Sequence, residues 1–429
     1  MKCFVGLYYV LIIIAHACAM PFLFILSFKQ KYRVSLKKRF LLPDSIEQEA
    51  TGFQLHWLHA CSFGEVKSLQ SIIESLQQQL RENEKILLTT TTQTGFNLAN
   101  KLYPNCIVRY LPFETLLPFW LHNIRLKSLT LVEAELWLMP LFCAKAKGAK
   151  TLLINARISK RSFPKYQKFD FFYRRIFSLI TKIFCQTPAD KMCLEALGAR
   201  NVVVLGNLKL AEIPQISTDY TAPKQPLWIV ASTHSKAKES EEVWILQAII
   251  ETFFSSCDSF SECLESMPRF LFAPRHPERF LEVESQLNAI LESHALPHLI
   301  KTSEVGVQDS LNAPFILLDS LGELHNLYKI AQGVILGGSF LQGIGGHNPI
   351  EAAFFHTKLI SGPYIFNQKA LFASIQNYTL CKIQNLPKAL QKREVLKGAK
   401  ITKKLKLTKI IQAICCKDSE NEKPKTPKN

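Results

Sequence analysis

The chain has 429 residues, 48% of them hydrophobic and 20% charged, with 17 Gly and 21 Pro. That composition excludes a disordered, collagen-like or low-complexity chain, and the length leaves room for two domains or one large one. The net charge of +17 is not spread out: residues 29–39 hold six basic and no acidic residues, and residues 382–428 hold fourteen basic and four acidic ones, which is nearly the whole excess. A nucleic-acid binder spreads basic residues over a groove-facing surface. Charge confined to two flanks suits an anionic membrane surface instead, and no nucleic acid is expected as a partner.

In chain order, residues 3–28 come first and contain no Asp, Glu, Lys or Arg. As a helix they reach about 39 Å, more than the roughly 30 Å of a hydrocarbon core. Only Lys2 precedes this run while six basic residues follow it, so the positive-inside rule puts the rest of the chain in the cytoplasm. A cleaved signal carries its charge ahead of the apolar stretch. Residues 1–28 therefore read as a single-pass membrane-anchor helix. Twelve cysteines are present but none are three apart, so no Cys-x-x-Cys pair exists for zinc or redox work.

Short β-rich runs follow at 55–59, 85–90, 107–111, 129–132 and 151–154, alternating with helical patterns such as 66–80 and 116–124. Residues 211–226 carry Pro214, Pro223 and Pro226 and read as a linker. The alternation resumes with strands at 227–231, 270–273, 315–318, 334–336 and 358–360 and helices at 239–254 and 324–331. Such alternation predicts an α/β chain with parallel sheets covered by helices on both faces. The expected organisation is two Rossmann-like, doubly wound domains, at 29–210 and 227–386, facing each other. A basic helix over 387–416 and a disordered tail over 417–429 complete it. Gly398 weakens that helix, whereas Pro387 suits its first turn.

Ligands of doubly wound folds lie beyond the C-terminal ends of the strands, so motifs directly after strands carry most weight. After 55–59 comes Cys61-Ser62-Phe63-Gly64-Glu65. Glu65 is either an ordinary first-turn glutamate favoured by the helix dipole or a general base for a substrate hydroxyl. After 129–132 comes Glu133-Ala134-Glu135, two carboxylates that alternation points the same way if the strand persists. Lys209 follows the strand 202–205 and can reach an anion. Arg275-His276 follows 270–273 and can hold a phosphate or sit in a polar surface loop. Leu321-Gly322-Glu323 leads into a helix, whose N-terminal amides can cradle an anion. The densest cluster is Gly337-Gly338-Ser339 followed by Gly345-Gly346-His347-Asn348-Pro349-Ile350-Glu351. It is neither a dinucleotide fingerprint nor a P-loop. No Asp-x-Asp occurs, so neither a dedicated divalent metal site nor a cofactor is expected.

Taken together, these motifs resemble those of the 3-deoxy-D-manno-octulosonic acid (Kdo) transferases. The matching stretches are 59–65, 89–95, 133–137, 155–159, 206–209, 231–234, 274–280, 322–324, 337–339, 345–351 and 362–367. They run in order over about three quarters of the chain. The resemblance implies a GT-B glycosyltransferase fold with two Rossmann-like domains facing a cleft. It implies CMP-Kdo as donor and the lipid A precursor as acceptor, at the cytoplasmic face of the inner membrane, with inversion; the absence of Asp-x-Asp makes the expected reaction metal-independent. It also implies Glu65 as proton acceptor and Glu133 and Lys209 as supports of the transition state. The implied CMP contacts are Arg275, His276, Leu321 to Glu323 and Asn348 to Glu351; Ser62, Gly64, Gly338 and Ser339 are further candidate substrate contacts. Two features depart from the family pattern. Leu138 and Met139 precede Pro140 where the family often has Pro directly after Trp, and the segment between the two glycine pairs, 340–344, carries no charge.

Overall fold

The structure, a computed structural model, describes residues 1–29, 32–159, 161–237, 239–255, 259–403 and 405–415. The chain divides into two units, Met1–Glu212 with the residues from Leu405 on, and Ile213–Lys404.

The first unit opens with helix α1, Lys2–Leu26, which alone among the described helices is long and apolar enough to cross a membrane. One side of it docks on the unit. Val5 is buried in the core, with Phe4, Tyr8, Tyr9 and Ile12 packed beside it. The Tyr8 hydroxyl donates to the Glu114 carboxylate, and Tyr9 donates to the Thr115 carbonyl at 2.7 Å. His16 Nδ1 meets the Thr115 hydroxyl at 2.7 Å. Leu7, Val10, Leu11 and Ile14 face outward.

Behind α1 lie strands β1 Gln54–His59, β2 Glu84–Thr90, β3 Ile107–Tyr110, β4 Arg125–Val132, β5 Lys150–Ala156, β6 Lys182–Cys185 and β7 Val202–Val204. All are parallel, in the order β3-β2-β1-β4-β5-β6-β7. A parallel sheet is covered on both faces, so its strands read as unbroken apolar runs; β1 and β5 are buried at every position after the first. The order reverses at β1 and β4, the switch point where such folds bind ligands. The sequence pattern does not reveal β6, because four buried residues cannot be told from a helix segment by periodicity. The expected helix at 66–80 is two helices, α2 Phe63–Ser68 and α3 Gln70–Gln77. Only Leu117–Trp120 is helical within 116–124.

The second unit has strands β8 Leu227–Thr233, β9 Arg269–Pro274, β10 Ile300–Lys301, β11 Phe315–Leu317, β12 Gly333–Leu336, β13 Lys358–Ser361 and β14 Tyr378–Leu380. They too are parallel, in the order β10-β11-β9-β8-β12-β13-β14, with the reversal at β8 and β12. Trp228 is fully buried at its centre. A Cβ at Gly333 would come within 2.6 Å of that indole ring, which is why the neighbouring strand starts with glycine. Helices α4 Glu241–Phe254, α5 Leu324–Tyr328 and α6 Ile350–Phe354 follow β8, β11 and β12. The residues read as a linker are stitched down. The chain passes into the second unit at Ile213, where Ser217 N–H donates to Asn326 Oδ1 at 3.0 Å and Tyr220 O–H to Glu323 at 2.8 Å.

The single helix expected over 387–416 does not form. The chain makes a helix at Leu386–Gln391, a 3-10 turn at Arg393–Val395, a short strand at Lys400–Ile401 and then helix α7 Leu407–Cys415. Gly398 explains the break: a Cβ there would meet the His356 carbonyl at 2.2 Å, so the segment runs too close to backbone to carry helical side chains. Helix α7 returns to the first unit and buries Ile410, Ile411 and Ile414 in a cluster with Ile72, Ile73 and Leu76. At roughly 1.5–3 kcal/mol per buried aliphatic side chain, that docking is a substantial tie. The tail expected at 417–429 lies outside the described residues.

Candidate functional site

In the first unit the candidate residues gather around the switch point. Ser62 caps α2 in the extended conformation that N-caps adopt, its hydroxyl 3.3 Å from Glu65 N–H. The Glu65 carboxylate accepts the Cys61 N–H and the Ser62 O–H, both at 2.8 Å. Burial raises the Glu65 carboxyl above the usual range; the two hydrogen bonds pull it down, and repulsion from Glu133 and Glu135 adds to the rise. The hydroxyls of Thr90, Thr91 and Thr92 all donate to the Cys61 carbonyl, at 3.0, 3.2 and 3.0 Å, so the threonine motif at the end of β2 pins the turn after β1. Gly64 is different: nothing lies within 4 Å of where its Cβ would be, so the fold itself does not demand a glycine there.

Strand β4 stops at Val132, so alternation does not align Glu133 with Glu135. Glu133 instead takes a left-handed backbone conformation, φ 58°. Its carboxylate pairs with Arg157 Nε at 2.9 Å and accepts Asn155 Nδ2 at 3.4 Å. Asn155, near the end of β5 and also left-handed at φ 53°, accepts the Leu208 N–H on Oδ1 at 3.1 Å. Asn207 accepts the Lys209 N–H at 3.0 Å and donates to Gln186 at 2.9 Å, and Gln186 donates to the Asn155 carbonyl at 3.1 Å. One network therefore ties Glu133 to the turn carrying Lys209. The sequence pattern gives Asn155 and Gln186 no role. The available signal for Asn155 is an amide next to a strand end, at the start of the stretch 155–159.

In the second unit, three imidazoles meet beyond β8, β9 and β12. His234 Nε2 lies 2.7 Å from His347 Nε2 with the rings stacked, and the His276 ring is 5.0 Å from that of His234. Burial, aided by the neighbouring His276 and Arg279, pushes His234 down to about 4. Gly338, left-handed at φ 66°, lies against His347, so a Cβ there would come within 2.5 Å of the ring. Arg275 is anchored by its N–H to the Thr233 carbonyl at 3.1 Å and leaves its side chain exposed. Leu321 is 71% exposed beside Gly322, a left-handed glycine with open space around it. Glu323 is partly engaged, accepting from Tyr220 and Asn326, both at 2.8 Å. Asn348 takes the Ile350 N–H at 3.0 Å ahead of Pro349, and Glu351 reaches Asn348 at 3.2 Å and His325 at 3.3 Å. That last pair joins helix α5, which follows 321–323, to the segment at 348–351. Ser339 stands apart: it is fully buried, donates to the Leu336 carbonyl at 2.6 Å and accepts the Gly362 N–H at 2.7 Å, so its hydroxyl is spent on backbone.

The sequence pattern does not mark Glu241 either. It is wholly buried, and its carboxylate accepts the N–H groups of His234, Gly338, Ser339, Phe340 and Leu341. It fastens the glycine loop to the turn after β8.

Two parallel seven-stranded α/β units, each with its polar residues beyond the switch point, define a GT-B-like protein. A solved UDP-GlcNAc 2-epimerase from Neisseria meningitidis shares this fold, with a TM-score of 0.51 and 11% identity over 79% of this chain and 91% of that one. A family model described as 3-deoxy-D-manno-octulosonic-acid transferase matches residues 34–212. A 3-deoxy-D-manno-octulosonic acid transferase from Rickettsia typhi is 30% identical over 82% of this chain and 74% of its own length. Another, from Haemophilus influenzae, is 28% identical over 84% and 83%. The chain belongs to the Kdo transferase family of glycosyltransferases.

Proposed function

We propose that the protein transfers Kdo from CMP-Kdo to the lipid A precursor, with inversion, at the cytoplasmic face of the inner membrane. The observation that supports this best is Glu65, a carboxylate oriented by two hydrogen bonds at the switch point of the first unit, beside a glycine position that the fold leaves open. In the proposed reaction Glu65 takes the proton from an acceptor hydroxyl. That oxygen attacks the anomeric carbon of Kdo, the bond to the phosphate oxygen breaks, and CMP leaves from the opposite side. Direct displacement inverts the anomeric centre. Lys209 meets the negative charge that develops on the leaving group. Glu133, held by Arg157 and Asn155, keeps the Lys209 turn in register. Arg275, His276, Leu321 to Glu323 and Asn348 to Glu351 hold the CMP moiety, with Ser62, Gly64 and Gly338 lining the reactants. No step requires a metal.

Membrane attachment is assigned to α1 through its outward apolar residues. The basic block at 29–39 favours the cytoplasmic side for the remainder of the chain. Removal of α1 as a signal would strip Val5 from the core and leave Glu114 without its Tyr8 partner, which supports retention of the helix.

The test is a transfer assay with the purified full chain, lipid A precursor and CMP-Kdo generated in place, read by product mass. A gain of one or more Kdo units is expected. Folded protein that binds CMP yet gives no product would overturn the acceptor assignment, and absence of CMP binding would overturn the donor.

A further inference from the structure

One cluster beside Glu65 has no part in the proposed reaction. A ring nitrogen of His59, the Cys61 sulfur and a Glu135 carboxylate oxygen all lie within 4.8 Å of one another. His59 Nε2 is 3.3 Å from Cys61 Sγ. His59 is the fully buried last residue of β1, and Glu135 follows the adjacent strand β4, so the switch point brings them together.

His59 Nδ1 faces the Thr89 carbonyl at 3.1 Å. The Thr89 hydroxyl also lies 2.9 Å from Nδ1 and has the Leu58 carbonyl at 3.5 Å to take its own proton; the tautomer protonated on Nδ1 satisfies both Thr89 contacts and turns the Nε2 lone pair toward Cys61, and a carbonyl behind the ring holds metal-binding imidazoles in the same tautomer. Glu135 is oriented by Trp137 Nε1–H at 2.6 Å. The carboxylates of Glu65 and Glu133 lie close by and add negative charge, against the Arg39 and Arg157 guanidinium groups.

We propose that His59, Cys61 and Glu135 form a three-ligand site for a borderline-soft divalent cation of the Zn²⁺ class. Imidazole, thiolate and carboxylate suit Zn²⁺, whereas Mg²⁺ and Ca²⁺ require oxygen ligands. On binding, the Cys61 S–H bond breaks, a sulfur–metal bond forms and the proton leaves to solvent. Thiolate and carboxylate then neutralise the two positive charges. Bond lengths of about 2.0–2.3 Å put tetrahedral ligand atoms roughly 3.2–3.7 Å apart, so the cluster contracts by up to about 1.5 Å. Three protein ligands leave a fourth position to water. Because the Cys61 N–H also holds Glu65, occupancy disturbs the turn that places the proposed base and slows transfer; this consequence rests on the function proposed above.

The test uses the full chain stripped of metal and titrated with Co²⁺ as the spectroscopic probe. One equivalent is expected to give a thiolate-to-cobalt charge-transfer band with tetrahedral visible bands. The charge-transfer band disappears in Cys61→Ser, and affinity falls at least tenfold in Glu135→Gln. No charge-transfer band in the native protein, or an undiminished band in Cys61→Ser, overturns the site, whether or not transfer is ever observed. Zn²⁺ is then added to transfer assays of both proteins. A fall in rate for the native protein, with no Zn²⁺ effect in Cys61→Ser, supports the consequence. Cobalt bound through Cys61 without any effect of Zn²⁺ on the native rate overturns the consequence alone.

Discussion

Replacing Glu241 should loosen the glycine loop of the second unit more than any other single change there. Oε2 takes the N–H groups of His234 at 2.9 Å and Gly338 at 2.6 Å. Oε1 takes those of Ser339, Phe340 and Leu341 at 3.1, 2.8 and 3.3 Å. In Glu241→Gln one oxygen becomes an NH₂ group that cannot accept, so at least two buried donors lose their partner. Each unsatisfied donor costs about 1–3 kcal/mol. Against this, burial raises the Glu241 carboxyl above its ordinary range, with the N–H bonds opposing and Glu242 repulsion adding, so the native carboxylate already bears a desolvation cost that the amide escapes. The net loss should be about 3 kcal/mol, which is about 100-fold in an opening equilibrium. Hydrogen–deuterium exchange of the peptide covering 338–341 reads this directly: exchange should accelerate by about that factor, while a peptide from β1 in the first unit stays unchanged. Glu241→Ala removes all five acceptor contacts and should exceed the effect of Gln. Exchange at 338–341 within threefold of native in both variants would refute the idea that this carboxylate holds the loop.

Four further outcomes are expected from the same geometry. Glu65→Gln should keep the fold but lower kcat by at least about 100-fold, the usual span of general-base catalysis, with donor binding retained; near-native turnover would remove Glu65 as the base. Lys209→Ala should lower kcat with little change in melting temperature, whereas a variant that fails to fold would make the residue structural. Gly64→Ala meets no neighbour, so its melting temperature should match the native protein while transfer falls; unchanged transfer would show that no substrate passes that close. His56 is fully buried, and burial, helped by Lys127, pushes it down to about 4. Its depressed folded value means that the unfolded chain takes up the proton first. Stability present above about pH 6.5 is therefore lost as the pH falls toward 4, by about 3 kcal/mol at most. Urea unfolding at pH 7 and pH 5 should show a smaller drop in His56→Gln than in the native chain.

Much of the architecture is legible in the sequence because buried parallel strands are plain apolar runs. Leu55 to His59, Lys85 to Thr90 and Leu227 to Ala231 need no tertiary information to be seen. The short strands β6, β10 and β14 are invisible there because two to four residues carry no period, and their hydrogen-bonding partners are distant in sequence. The C-terminal helix is misjudged because the steric limit at Gly398 comes from His356, more than forty residues away. At the site, Glu65, Glu133 and Lys209 stand out from their place after strands. Glu241 does not, because a glutamate in the first turn of a helix looks the same whether it faces water or five backbone amides. Ser339 is overrated for the converse reason: a serine after two glycines looks exposed until the Leu336 carbonyl and Gly362 amide claim its hydroxyl.

The backbone itself marks where side chains are wanted. Glu133 and Asn155 both take left-handed conformations at the ends of the neighbouring strands β4 and β5. A non-glycine residue there costs on the order of 1 kcal/mol, least for Asn, and glycine would remove that cost. The chain keeps side chains at both positions. In each case the side chain makes contacts that a glycine could not: Glu133 reaches Arg157, while Asn155 bridges the Glu133 carboxylate and the Leu208 amide. The strain and the network coincide at the strand ends beside the switch point, next to the turn that carries Lys209. Local backbone cost of this kind persists where the surrounding structure and the chemistry of the site both require the geometry. That coincidence supports the roles proposed for Glu133 and Lys209 on the physics of this chain as well as on the family resemblance.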